Sequence, residues 1–296
     1  MAGLSLLPLS PTAAAARQAV LPDGVTARRV VSFDLLLTEI LLTLQIVPTA
    51  VGNIPLYQRL VEQPPVPAGV PDLGPLQEPN LELLQYLAPD LILAASWHST
   101  GRQHFERIAP VAWLPTFSTD AAALDHAESL LLQVGRLVGR EDAAQCAIGA
   151  TRATLDESRD HLAGYDARPV FVVRFMEDGR HAAIFGGNGM IGDVLSRLGL
   201  TNAWTGRTNV WGVTSIGIEQ LAAVPDARLV HFDRGAETRR ALAQLADSPL
   251  WNALPFVRDD QVIKTPVIYP NGGVLSAGRF ARQLVKAFAE GSHGNG

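Results

Sequence analysis

Metal-holding and nucleophilic side chains are sparse in this chain, and nothing in their spacing argues for catalysis. Seven histidines are present, but none pairs with another at the i, i+4 spacing that lets one helix face grip zinc. The nearest two, His98 and His104, stand six residues apart with no carboxylate between them. A single cysteine, Cys146, permits neither an internal disulfide nor a cysteine-based zinc cluster, and reads as an inert core residue. No G-x-S-x-G elbow, phosphate loop or kinase signature occurs. Gly187-Asn188-Gly189-Met190-Ile191-Gly192 fits G-x-G-x-x-G. A dinucleotide site also wants an acidic residue about 20 positions on, and residues 206–212 hold none. The run therefore reads as a tight turn entering a helix. What remains is aromatic. Trp97, Trp211 and Tyr269 each fall in a loop: Ser96-Trp97-His98-Ser99, Thr208-Asn209-Val210-Trp211-Gly212 and Ile268-Tyr269-Pro270-Asn271-Gly272. Amphipathic rings in such places give a ligand contact area at little entropic cost; the alternative is a ring folded back on its own lobe. Trp113, Trp204 and Trp251 sit nearer apolar patterns and read as core.

Loops of that kind bind ligands when they leave the carboxyl ends of strands in an open α/β sheet, and the chain supplies such strands. Residues 29–33, 49–51, 91–95 and 111–114 read as strands of a first lobe, with a helical pattern over 35–44. Six prolines between 64 and 79 make that stretch an extended surface loop. A second α/β set begins after Pro169. Residues 170–175 and 182–185 flank a turn as a hairpin, residues 229–232 and 261–264 are later strands, and 273–290 form a closing helix. Between the sets, Ala144, Ile148, Thr151, Leu155, Ser158 and Leu162 recur every three or four residues, the stripe of one helix over Glu141–Leu162. Its roughly 22 residues span about 33 Å, a stiff rod rather than a hinge. The expected organisation is an N-terminal extension over 1–24, a lobe over 25–138, the linking helix over 139–164, and a second lobe over 165–296.

A weak internal echo joins the halves. Ile218-Glu219-Gln220-Leu221 before Pro225-Asp226 repeats the order of Leu81-Glu82-Leu83-Leu84 before Pro89-Asp90. A glutamate in a helix's first turn favours the helix dipole by about 0.3–1 kcal/mol. The same pair would also present one exposed negative point per lobe to a partner with two basic pockets.

The 296 residues, 47% hydrophobic and 18% charged, suffice for a large core and exclude disorder. Lys+Arg 24 against Asp+Glu 29 leaves a net charge of −5, which argues against a nucleic-acid partner. No stretch reaches the length of a membrane helix. Leu4, Leu6, Leu7 and Leu9 followed by the alanines at 13–16 resemble the tail of an export signal without its basic start; a disordered alanine-rich extension is the other reading.

Several segments carry a family likeness: Glu78-Pro79-Asn80-Leu81-Glu82-Leu83-Leu84, Arg107-Ile108-Ala109-Pro110, Asn202-Ala203-Trp204-Thr205-Gly206-Arg207-Thr208-Asn209-Val210-Trp211-Gly212, Pro249-Leu250-Trp251, Leu254-Pro255-Phe256-Val257-Arg258 and Leu275-Ser276-Ala277. In that order they resemble the periplasmic binding proteins of ABC importers for ferric siderophores, the ferric-hydroxamate branch in particular. The resemblance implies two α/β lobes joined by one long helix, a shallow ligand cleft between them, no enzymatic step and no cofactor. It implies a periplasmic monomer delivering cargo to an inner-membrane permease, with Glu82 and Glu219 matching the docking glutamates. Trp211 matches a cleft tryptophan. Tyr269 falls where the relative has another aromatic; Asn271 and His98 fall where it has tyrosines. Leu76 stands where it has an arginine that bonds the iron-bound oxygens. Losing that guanidinium removes an anchor of about 1.5–3 kcal/mol, for which Arg102 or Arg174 are candidate substitutes. Trp97, Trp211 and Tyr269 are expected to cover the ligand's organic faces, with Tyr57, read as a loop residue, completing the rim. The iron arrives already chelated, so no protein metal ligand is expected. The same fold carrying a catecholate siderophore, haem or cobalamin, a small-substrate enzyme, and a sensor without a permease are the alternatives.

Overall fold

The computed structural model describes residues 26–98 and 101–293; the export-signal reading falls on residues outside these. The first lobe comprises β1 (Val30–Ser32), α1 (Leu35–Thr43), β2 (Ala50–Val51), α2 (Ile54–Leu60), α3 (Leu81–Tyr86), β3 (Leu91–Ala95), α4 (Arg102–Ile108), β4 (Val111–Leu114) and α5 (Ala123–Leu137). After α6 (Glu141–Leu162) come β5 (Val170–Phe175), β6 (His181–Phe185), α7 (Met190–Arg197), β7 (Val213–Gly217), a 3₁₀ turn (Ile218–Ala223) and β8 (Arg228–Asp233). The chain closes with α8 (Ala236–Ala246), α9 (Pro249–Ala253), α10 (Pro255–Arg258), β9 (Val262–Pro266) and α11 (Val274–His293).

Strands of the first sheet run parallel in the order β2-β1-β3-β4. Every residue of β3 is buried, as expected for a strand covered on both faces. Leu91 and Leu93 join the core under α1, α5 and α6, while Ile92 and Ala94 join Phe105 and Trp113 on the opposite side. The second sheet is mixed, β7-β6-β5-β8-β9. Its antiparallel part is the expected hairpin, with Val173 opposite Ile184, extended by β7, which the sequence does not announce.

All six stripe residues of α6 are buried, and the helix packs along α5 and α11. The hydroxyl of Thr151 donates to the carbonyl of Val274 across 3.3 Å. Cys146 lies on the exposed side of α6, not in the core, because the stripe turns it away. The lobes are tied to each other at several further points. The Leu124 amide donates to Asp193 at 2.8 Å, Arg197 pairs with Asp125 at 2.7 Å, and Arg279 donates to the Val61 carbonyl at 2.8 Å. Arg59 of α2 also pairs with Glu237 of α8.

Candidate ligand-binding cleft

Strand β3 ends in a tight turn, with the His98 amide donating to the Ala95 carbonyl at 2.9 Å, and this turn pushes Trp97 out to 42% exposure. The Trp97 ring lies on the His98 ring at 4.2 Å, and its Nε1–H donates to Thr116, just past β4, at 3.2 Å. Trp211 is set from the other lobe. Asn209 Oδ1 accepts the amides of Trp211 and Val213 at 3.0 and 3.2 Å, and Asn188 donates to the Asn209 carbonyl at 3.1 Å. The glycine run has its reason here. A Cβ at Gly189 would meet the Trp211 carbonyl oxygen at 2.7 Å, and Gly212, at φ +71°, crosses against the Gly189 backbone. That backbone crossing holds the Trp211 loop against the start of α7. Trp211 keeps 39% exposure and meets Phe117 of the first lobe edge-on at 5.7 Å, so it edges an opening shared by both lobes.

Tyr269 and Asn271 come from the loop between β9 and α11, whose turn is closed by the Gly272 amide donating to the Tyr269 carbonyl at 3.0 Å. This loop is held by the first lobe. Glu39 of α1 accepts the amides of Gly273 and Ser276 at 3.1 and 3.0 Å and the Ser276 hydroxyl at 2.8 Å. A carboxylate from one lobe thus caps the last helix of the other. Burial pushes the Glu39 carboxyl up, opposed by these three donors and by Arg279. Burial, and then the nearby Asp34 charge, push the Tyr269 hydroxyl up.

Trp97, Trp211, Tyr269 and Asn271 line one chamber of about 130 Å³, together with Asp34, Leu36 and Thr116. A neighbouring chamber shares Leu36, Thr116, Trp211 and Asn271 with it and adds Phe117, His126, Asn188 and Met190. Asp34 was missed in the sequence, although an aspartate before an apolar helical run is a cap signal. Its Oδ1 accepts the amides of Leu36 and Leu37 at 2.8 and 3.2 Å. Burial pushes its carboxyl up to about 6, against the pull of those two amides. Phe117 and Thr116 were missed as well, although the rule that picked Trp97, a residue just past a strand's carboxyl end, also applies to them.

Five expected ligand residues lie elsewhere. Tyr57 sits on α2, not in a loop, and is fully buried, its hydroxyl donating to the Pro64 carbonyl at 2.8 Å. Pro55 opens that helix, where a proline costs nothing. The Arg102 guanidinium lies 4.6 Å over the Trp113 ring and pairs with Glu106 at 3.3 Å, a cation–π site that turns it from the cleft. Arg174 stands beside Arg234, which lines a second, polar groove between the lobes. Leu76 is 8% exposed and packs over Gly52, as an apolar side chain should. His98 is 5% exposed. Burial pushes its pKa down, with the Leu76 backbone as its polar neighbour, and it supports Trp97 from behind.

The second groove, about 970 Å³, is lined by Arg59, Arg234, Lys264, Glu62 and Asp233 among others. Its cations are matched: Arg59 and Arg234 both meet Glu237, and Lys264 meets Asp233 at 3.7 Å.

A family model described as periplasmic binding protein matches residues 30–269. The chain belongs to that family. This periplasmic binding protein is 32% identical over 264 residues to the iron(3+)-hydroxamate-binding protein FhuD of Escherichia coli, spanning 89% of this chain and 88% of that protein. The Fe(3+) dicitrate-binding periplasmic protein FecB of the same organism is 26% identical over 276 residues, spanning 89% and 85%. The structure of the Fe3+–Desferal-bound siderophore-binding protein FhuD from Vibrio cholerae matches with a TM-score of 0.80 at 31% identity, covering 88% of this chain and 97% of that one. The two-lobed fold expected from the sequence is that of these proteins, which bind rather than transform; the enzyme alternative falls with them. No helix among the described residues is long and apolar enough to cross a membrane.

Proposed function

We propose that this binding protein captures ferric hydroxamate-type siderophores in the periplasm and passes them to an inner-membrane ABC permease. The observation that carries the reading is the aromatic chamber built by both lobes, in a chain similar to proteins named for ferric hydroxamate and Fe3+–Desferal. Trp97 and Trp211 cover the organic faces of the chelate, and Asn271 and the Tyr269 hydroxyl offer polar contacts at its rim. The iron is cargo already held by its chelator, so the cleft recognises the outside of the complex. Glu82, exposed in the first turn of α3, and Glu219, exposed in the 3₁₀ turn, dock onto basic pockets of the permease. The ties between the lobes keep closure small, so the permease reads cargo through slight lobe shifts and the two glutamates.

The test is a tryptophan-fluorescence titration with ferrichrome, ferrioxamine B and a ferric catecholate. Saturable quenching by the hydroxamates is expected. Quenching by the catecholate alone, or by none, would overturn the assignment.

A further inference from the structure

The charges that border the cleft are lopsided. Neither chamber has an arginine or a lysine among its described lining residues. Arg102 is held over Trp113, and Arg174 lies near Arg234, which lines the other groove, and is not among the residues lining either chamber. His126, in the second chamber, has Nε2 2.6 Å from the Pro115 carbonyl, so that nitrogen must carry a proton aimed away from any ligand.

Against this stands one carboxylate. Asp34 lines the chamber shared with Trp97, Trp211 and Tyr269. Its Oδ1 is occupied by the two amides at the start of α1, while no described residue donates to Oδ2 or forms an ion pair with the group. Two indole rings edge the same space at 42% and 39% exposure, and an indole face attracts a cation. A negative point and two π faces converge on one chamber that has no arginine or lysine among its described lining residues.

We infer that the cleft selects ferric chelates of positive or zero net charge, and that Asp34 Oδ2 receives a hydrogen bond from an ammonium or other donor on the chelator's organic frame. This rests on the ferric-hydroxamate reading above and narrows its substrate class. Anionic complexes, such as tris-catecholates, meet the Asp34 charge with no counter-cation and are excluded. The helix start behind Asp34 steadies the carboxylate without neutralising it, so the preference operates while the group is ionised. Among the described residues lining the chamber, the one other titratable side chain is Tyr269.

The experiment compares ferrioxamine B, which carries a free ammonium, with its N-acetylated form, which holds iron identically and is neutral; ferric enterobactin, a trianion, is the third ligand. Titrations are run near pH 7.5 on the wild-type protein and on Asp34→Asn. A charge-assisted hydrogen bond of ordinary strength corresponds to about a tenfold preference for the ammonium form. That preference, read as the ratio of the two affinities within each protein, is expected in the wild type and should fall to about one in Asp34→Asn. Ferric enterobactin should not bind the wild type; its binding there alongside the ferrioxamines overturns the inference. Equal binding of the two ferrioxamines by the wild type overturns the inference and leaves the hydroxamate function standing. Binding of enterobactin with no binding of either ferrioxamine overturns both. The wild-type comparison decides the matter even if the variant folds poorly, and retained binding of the acetylated form shows that it folds.

Discussion

Replacing Asp34 by asparagine should make the protein more stable at neutral pH, and the size of the gain follows from where the carboxyl sits. The group is 5% exposed, and its pKa is raised by burial to about 6, against about 3.9 in an unfolded chain. Between those two values the native state holds a proton that the unfolded state has released. Stability therefore falls as pH rises through this window and is level above it. At about 1.4 kcal/mol for each pH unit, the gap amounts to about 3 kcal/mol lost by the wild type between pH 4 and pH 7. Asparagine carries no charge and caps a helix start as well as aspartate does. The variant should match the wild type near pH 4 and exceed it by about 2–3 kcal/mol at pH 7. Urea unfolding of both proteins at half-unit steps from pH 4 to 8 measures the difference directly, because every other titrating group cancels in the subtraction. A difference that stays flat across the window, or a variant that is weaker at pH 7, would refute the reasoning. A residue kept at such a cost in stability has the mark of a functional site.

Further outcomes follow from other parts of the molecule. Glu39→Ala leaves the Gly273 and Ser276 amides and the Ser276 hydroxyl unpaired in a buried seam; unfolding free energy should drop by about 2–4 kcal/mol, and ferrioxamine affinity should weaken as the Tyr269 loop loosens. Trp211→Ala removes a ring that is 39% exposed; ligand affinity should fall about tenfold or more with a stability change under about 1 kcal/mol, since the ring edges the chamber and forms no part of a core. Reversing both docking charges, Glu82→Arg with Glu219→Arg, should abolish siderophore-dependent growth while titrations of the purified protein remain unchanged. Small-angle scattering with and without saturating ligand should give the same radius of gyration within error, because a large closure would have to break the Glu39 cap and the Arg279 bond to Val61.

Much of the scaffold was readable in advance because its signals are local. The α6 stripe needs only a 3.6-residue period, and β3 needs only a run of five apolar residues closed off by a polar loop. Trp97, Trp211 and Tyr269 were read as loop aromatics by equally local signs, and the structure gathers all three around one chamber. The failures share a different cause. Arg102 is claimed by Trp113, a residue on a neighbouring strand that only the folded chain brings beneath it. Tyr57 was hidden by Pro55, which suggests a loop until Asn53 is seen capping a helix through the Leu56 amide. β7 is mostly half-buried, with Ile216 its one buried residue, so it shows no clear apolar alternation. Asp34 carries a local signal as a cap, but that a cap also faces a ligand chamber depends on Tyr269, more than 200 positions away in the chain.

The carboxylate of Glu39 also bears on how the molecule comes into being. The final helix begins on amide groups that only the opposite half can satisfy, so residues 165–296 produced alone would carry a frayed, water-seeking helix start beside an uncovered apolar flank. The halves are therefore not interchangeable modules. Heating should melt them in one step, and a fragment cut at the connecting rod should fail to assemble until the missing half is supplied.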